Sequence, residues 1–361
     1  MISIVCLIAS ASSTIAQTAT APPSKRSIAA SDPRVRLIGR YDAREPDAPR
    51  FGYPGTGFLV RFRGPSLAFS MASDSDTSVL TLVLDHGEPT KTLLHKGEQT
   101  VVAAAGLDAE SHTLEVYKRT ETWQGVVTLR SLEVNSDKLL STPPLPERKL
   151  LFVGDSVTCG AGIDNDAKCT RDPAHPDGDP WHSFGMTLGR RLDAQVQLVC
   201  YGGRGLERDY RGLGITDGVI NAPEFLDLSV ATDDVVRQSS WNSKVWTPDA
   251  VFISLGTNDF NLQSTRPLDG KRFVAEYVAF LRRVMAEYPR ASIFTTEGAI
   301  ITNPLLRQYI REAVGAIHES QVVWVEATHY AGNGCDPHPT RAEHARMADD
   351  LEPVLRETLH W

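Results

Sequence analysis

Leu150-Leu-Phe-Val-Gly-Asp-Ser-Val-Thr-Cys-Gly160 decides how this chain folds. An apolar run ends in Gly154-Asp155-Ser156, and small residues follow at once. A run that is apolar on both faces suits a parallel strand buried between helical layers. A serine directly after it stands at the strand tip, with a helix beginning behind it. There its hydroxyl is exposed, aimed, and close to backbone N–H groups that stabilise an oxyanion. The Gly-x-Ser-x-Gly elbow of α/β-hydrolases is absent, so that fold is not the match.

Outward from this stretch, the chain after Glu147 alternates strand and helix. Strands are expected at residues 149–153, 195–200, 250–255, 291–296 and 321–326. The clearest helix is 271–288, where Phe273, Tyr277, Leu281, Val284, Met285 and Tyr288 recur at helical spacing. Residues 305–320 and 341–359 have the same character. Five βα units predict an α/β domain with a five-stranded, doubly wound parallel sheet of flavodoxin-like type. The preceding residues, 35–140, behave differently. Segments 57–63, 66–71, 79–84, 112–118 and 126–134 read as strands, and Gly64-Pro65, Asp85-His-Gly87, Lys96-Gly97 and Gly106-Leu-Asp108 read as turns between them. Short strands at regular spacing with no helical segment predict an all-β sandwich of jelly-roll type. The proline-rich stretch Ser141-Thr-Pro-Pro-Leu-Pro146 is a stiff linker. The expected units are thus a sandwich at 32–140, a linker at 141–147 and a parallel-sheet domain at 148–361.

The chain has 361 residues, enough for two cores, and its 41% hydrophobic and 23% charged residues are those of an ordinary globular protein. A net charge of −8 argues against a nucleic-acid partner or an anionic membrane surface. No internal apolar run reaches membrane-spanning length. Residues 1–16 read as a signal peptide: Ile2 to Ala11 is a short apolar stretch, and Thr14-Ile15-Ala16 has the small-x-small pattern of a cleavage site, although the segment lacks Lys and Arg. Residues 17–31 read as a flexible leader, so an exported protein, periplasmic or secreted, is expected. Cys159, Cys169, Cys200 and Cys335 remain after such processing. They match no zinc spacing, and buried thiols or a disulfide are the expectation, with the pairing open.

Ligands of open parallel sheets bind outside the carboxyl ends of the strands. The first strand delivers Ser156, the second Tyr201-Gly-Gly-Arg-Gly205, the third Gly256-Thr-Asn-Asp259, and the fifth leads to Gly334-Cys-Asp-Pro-His-Pro339. A serine nucleophile needs a base, and His338 is the candidate. The oxyanion needs aimed donors: the N–H of Ser156 at a helix start, a glycine amide at Gly203, and the side-chain amide of Asn258. Asp155 and Asp259 are expected to organise these loops by accepting from backbone N–H groups.

These four blocks resemble those of the SGNH (GDSL-type) hydrolase superfamily, and most closely carbohydrate esterase family 2, the two-domain acetylxylan esterases. Gly-Asp-Ser-x-Thr-Cys-Gly, Lys118-Arg-Thr-Glu121 near the end of the sandwich, and Gly-Cys-Asp-x-His-Pro carry the likeness. The resemblance implies Ser156 as nucleophile, His338 as base, and Ser156, Gly203 and Asn258 as oxyanion hole, acting on acetyl esters of plant carbohydrate. In the common SGNH pattern an Asp stands three residues before the His; Cys335 occupies that place here, and Asp336 lies two before. Asp336 is the candidate orienting acid, with a backbone carbonyl as the alternative. The family often has Trp where Pro337 stands.

Arg204 either contacts sugar hydroxyls or forms an ion pair. Trp181, Trp241 and Trp246 either stack on sugars or pack in the core; Trp181 and Trp246 are the substrate-binding candidates. His175, His182 and His329 read as loop residues, and His344 as a solvent-side helix residue. No metal or cofactor is implied, since neither clustered ligand spacing nor a dinucleotide fingerprint occurs. The expected activity is a serine esterase removing O-acetyl groups from acetylated xylan or similar carbohydrate. The competing readings are a lipase, arylesterase or thioesterase of broader acyl range, and a non-catalytic carbohydrate-binding protein. The sequence leaves the oligomeric state open.

Overall fold

The computed structural model describes residues 26–134, 139–165, 176–261, 264, 266–300, 303–334 and 336–361. Residues 1–16, expected to be a signal peptide, and His175, Cys169 and Cys335 lie outside the described residues. Along Leu67–Ser73 every second residue is buried, as a strand with one face on a core requires. Two antiparallel sheets arise from such strands. In one, the order is Arg26–Ala29, Val127–Val134, Leu67–Ser73, Gly97–Ala104, with Arg50–Phe51 also paired to Val127–Val134. In the other it is Leu139–Leu140, Gly57–Arg63, Ser111–Lys118, Ser78–Leu84, Thr90–Leu94, with Arg36–Ile38 on Gly57–Arg63. Phe58, Phe62, Phe69, Met71, Leu80, Leu114 and Leu129 are fully buried between them.

The end of the stretch 17–31, expected to be flexible, is regular structure. Arg26–Ala29 is a strand, in register from Arg26 against Val134 to Ala29 against Ser131, and Ile28 is buried in the sandwich core. A single inward isoleucine anchors it, too weak a signal beside Thr, Ala and Pro. Thr90–Leu94 and Gly97–Ala104 also lack a clear sequence pattern. Each closes the edge of its sheet, and edge strands tolerate polar outward residues such as Lys91 and Glu98.

The carboxyl-terminal domain is built on a parallel sheet of order Ala194–Cys200, Arg148–Gly154, Ala250–Ser254, Ser292–Thr296, Val322–Trp324. Leu151 and Val153 face a core shared with helices Gly270–Glu287 and Pro304–Ile317. Leu150 and Phe152 face the opposite core, shared with Phe184–Arg191 and Arg341–Leu359. Helices therefore cover both faces. His344 departs from expectation: it is wholly buried, its Nδ1 accepts the Phe184 N–H at 3.2 Å, and its ring stacks on Phe184. It belongs to the inward stripe with Ala348, Leu351 and Leu355, and burial, followed by the His338 charge, pushes its pKa down to about 3.

The two domains share buried contacts. Arg40, fully buried, donates from Nε to Gln197 Oε1 at 2.9 Å and from Nη1 to the Leu226 carbonyl at 2.5 Å. The Tyr53 hydroxyl donates to the Phe225 carbonyl, and Arg119 pairs with Asp164 and with Asp179 at 3.1 Å. This docking brings the turn after Ser111–Lys118 to the carboxyl ends of the parallel strands.

Candidate active site

The first three strands of the parallel sheet end level. Gly154 is in register with Cys200 on one side and Ser254 on the other. The chain winds to one side after the first strand and to the other after the second, so this is a switch point where a crevice opens. Ser156 starts a four-residue helix, Ser156–Cys159, whose first turn is capped by Asp155 Oδ1 accepting the Val157 N–H at 3.0 Å. A disulfide, Cys159–Cys200, ties this turn to the end of the neighbouring strand.

His338 Nε2 lies 2.8 Å from Ser156 Oγ. Its Nδ1 is hydrogen-bonded to Asp336 Oδ1, which also accepts the His338 backbone N–H at 2.9 Å. Asp336 is fixed in turn: Asn165 Nδ2 donates to its Oδ2 at 3.3 Å, and its own N–H donates to Asn333 Oδ1 at 3.3 Å. Gly162 lets this loop close in, because a Cβ there, at φ +76°, would sit 2.7 Å from His338 Cβ. Burial pulls the His338 pKa down. The bond and charge of Asp336, with Asp155 and Glu121 behind, outweigh it and raise the value above that of an ordinary histidine.

Gly203 follows the second strand at φ +76°, with the Tyr210 ring against it. The loop is shaped by Asp259, whose carboxylate accepts the N–H groups of Leu206 at 2.8 Å, Glu207 at 2.9 Å and Arg208 at 3.2 Å. Asn258 Nδ2 donates to the Arg204 carbonyl at 2.9 Å and approaches Asp155 Oδ2 at 3.5 Å. Burial pushes the Asp155 carboxyl up to about 6. Ser156, Gly203 and Asn258 thus come to one rim, linked by two buried carboxylates that organise backbone as expected.

The remaining candidates do not join this rim in the same way. Arg204 pairs with Asp233 at 2.6 Å and lies over Tyr201, which is the ion-pair alternative. Trp181 packs against Tyr117 and the Arg190 guanidinium. Trp246 donates to Gln195 Oε1 at 3.1 Å, beside the start of the second strand and so at the opposite end of the sheet from Ser156. Both tryptophans line an interdomain cleft of about 690 Å³ whose lining includes neither Ser156 nor His338. Trp241 carries Arg40 on its ring. Sequence reading missed Glu121 as a site residue. Its Oε2 accepts the Gly202 N–H, so the sandwich holds the loop that carries Gly203. The motif Lys118-Arg-Thr-Glu121 was visible; its position beside Gly202 depends on domain docking. Among the described residues no group of three or more His, Cys, Asp or Glu is placed to hold a metal ion, and no helix is long and apolar enough to cross a membrane.

A serine hydroxyl on an imidazole that is braced by a carboxylate, at the carboxyl edge of a flavodoxin-ordered sheet behind a sandwich, defines an SGNH-fold carboxylic ester hydrolase. Residues 37–144 match the carbohydrate esterase 2 N-terminal family, and residues 152–358 the GDSL-like lipase/acylhydrolase family. The chain is 35% identical to an acetylxylan esterase / glucomannan deacetylase of Cellvibrio japonicus, over 94% of this chain and 92% of that protein. The structure of a family two carbohydrate esterase from the same organism superposes with a TM-score of 0.86 at 35% identity, covering 94% of this chain and 99% of that one. A Clostridium thermocellum family two carbohydrate esterase in complex with cellohexaose gives 0.81 at 26% identity, covering 91% and 99%. The chain belongs to carbohydrate esterase family 2.

Proposed function

We propose that this protein is an exported serine esterase that removes O-acetyl groups from acetylated xylan or related plant polysaccharides and oligosaccharides. The observation that carries the reading is the 2.8 Å approach of His338 Nε2 to Ser156 Oγ, with Nδ1 held by Asp336. Ser156 Oγ attacks the acetyl carbonyl carbon while its proton passes to His338 Nε2. The carbonyl oxygen becomes an oxyanion facing the N–H groups of Ser156 and Gly203 and the Asn258 amide, after that amide turns from its contact with Asp155. The carbon–oxygen bond to the sugar then breaks, and His338 returns the proton to the leaving sugar oxygen. Water, deprotonated by His338, attacks the acetyl-enzyme; acetate leaves and the Ser156 hydroxyl is restored. Asp336 keeps the imidazole in the useful tautomer and stabilises the imidazolium. The 35% identical relative, an acetylxylan esterase / glucomannan deacetylase, supports the acetyl and sugar parts of this reading, and the N-terminal pattern at residues 1–16 supports export.

The test is acetate release from acetylated xylan and acetylated glucomannan. Ser156→Ala is expected to lower kcat by at least about a thousandfold with the fold intact. Retention of near-normal release would contradict the assignment. Equal turnover of acetyl and long-chain esters would instead favour a general lipase or arylesterase.

A further inference from the structure

Of the six tryptophans in the chain, Trp123 alone is exposed, at 60% accessibility. It belongs to the sandwich, not to the hydrolase domain, and sits in a rigid mount. Thr122–Gln124 is a short 3-10 turn in which Gln124 Oε1 accepts the Glu121 N–H at 2.9 Å. The buried Lys118 ammonium donates to the Glu121 carbonyl at 3.0 Å, and the Thr77 hydroxyl donates to the Gln124 carbonyl at 2.8 Å. The indole Nε1–H donates to Glu121 Oε2 at 3.1 Å. That same oxygen accepts the N–H of Gly202, the residue before Gly203. One buried carboxylate oxygen therefore fixes an exposed indole beside the oxyanion loop. The polar edge of the ring is anchored and, among the described residues, no other aromatic ring or guanidinium is found stacked on it. An indole held by its edge at the lip of an ester-cleaving site offers its face to the apolar C–H face of a pyranose.

We propose that Trp123 is a pyranose-stacking platform for the acetylated sugar chain, and that Glu121 is the positioning residue that sets this platform and the Gly202–Gly203 loop in one frame. The inference rests on the esterase reading and extends it: the sandwich supplies part of the substrate site. Stacking acts on a sugar and not on a small aliphatic acetate ester, which has no ring to lay on the indole, so the two substrates report different things.

The experiment compares kcat/KM for acetylated xylo- and manno-oligosaccharides with kcat/KM for ethyl acetate, in the full-length protein. Trp123→Ala is expected to lower the ratio of oligosaccharide to ethyl acetate efficiency by about tenfold, mainly through KM. Trp123→Phe, which keeps a ring, is expected to recover part of the loss. Glu121→Ala is expected to lower kcat on both substrates because the oxyanion loop loses its anchor, with Glu121→Gln recovering much of it. An unchanged ratio in Trp123→Ala, or a ring-independent loss in both Trp123 variants, overturns the platform. Failure of the wild-type protein to release acetate from either substrate would sink the esterase reading instead, a separate result.

Discussion

In the proposed mechanism His338 is the base because its two ring nitrogens face opposite tasks. Nε2 meets the Ser156 hydroxyl, and Nδ1 meets a carboxylate held by Asn165 and by the turn at Asn333. Burial alone would lower its pKa; Asp336 reverses the sign. The proposed mechanism needs the neutral form, so activity is expected to be lost as pH falls through the raised value, with the acid limb of kcat/KM above that of an ordinary histidine. Asp336→Asn removes both the charge and the correct hydrogen-bond pairing. Its acid limb is expected to move to lower pH while kcat drops by at least about a hundredfold, read from pH–rate profiles on 4-nitrophenyl acetate. An unmoved limb would show that Asp336 does not set the imidazole. Ser156 was legible in sequence because it stands just past a strand end, and Asp336 and His338 because they stand together in the loop that leads into the last helix, Arg341–Leu359. Asn165 was not, since nothing local marks a loop asparagine that reaches a carboxylate 171 residues away.

At the scale of elements, the strand pattern was legible wherever burial is two-sided or alternates cleanly. The five parallel strands fall within a few residues of expectation, because both of their faces meet helices. The sandwich edge strands Thr90–Leu94 and Gly97–Ala104 and the strand Arg26–Ala29 escaped, since most residues of each are not buried. The stripe of Arg341–Leu359 was seen as helix, yet His344 was put on its wrong side: a histidine is compatible with either face until its acceptor role toward Phe184 is known. The pairing of Cys159 with Cys200 was likewise out of reach of spacing, and follows from two adjacent strand ends meeting. This cross-link closes a loop between cysteines 41 residues apart and clamps the Ser156 turn. Loop closure of that length stabilises by about 2–4 kcal/mol. Cys159→Ser with Cys200→Ser is therefore expected to lower the melting midpoint by about 5 °C or more, checked by thermal unfolding with and without reductant. No change in the double variant would mean that the sheet holds this corner unaided.

Across the whole molecule, the site is a product of docking. The sandwich fixes the Gly202 amide through Glu121 and braces the loop after Ser156 through Arg119 and Asp164. Such contacts join residues of separate domains, so no local sequence pattern marks them; only the family likeness drew attention to the Lys118–Glu121 motif. The interface is anchored at Arg40, whose Nε and Nη1 donate to Gln197 Oε1 and the Leu226 carbonyl. Arg40→Met leaves two buried acceptors unmet, and an expected loss of about 2–4 kcal/mol in unfolding free energy can be read from urea titration. A loss under about half a kcal/mol would show that the domains dock without it.

The central claim is that one hydroxyl among all those in the chain is made nucleophilic by one imidazole. Treating the full-length protein with diethyl 4-nitrophenyl phosphate and mapping the modified peptide by mass spectrometry tests it directly. The account predicts a single diethylphosphoryl group on Ser156, gained in step with the loss of acetate release, and strongly slowed labelling in His338→Ala. Full activity in protein labelled at Ser156, or inactivation by labelling elsewhere with Ser156 untouched, would contradict it.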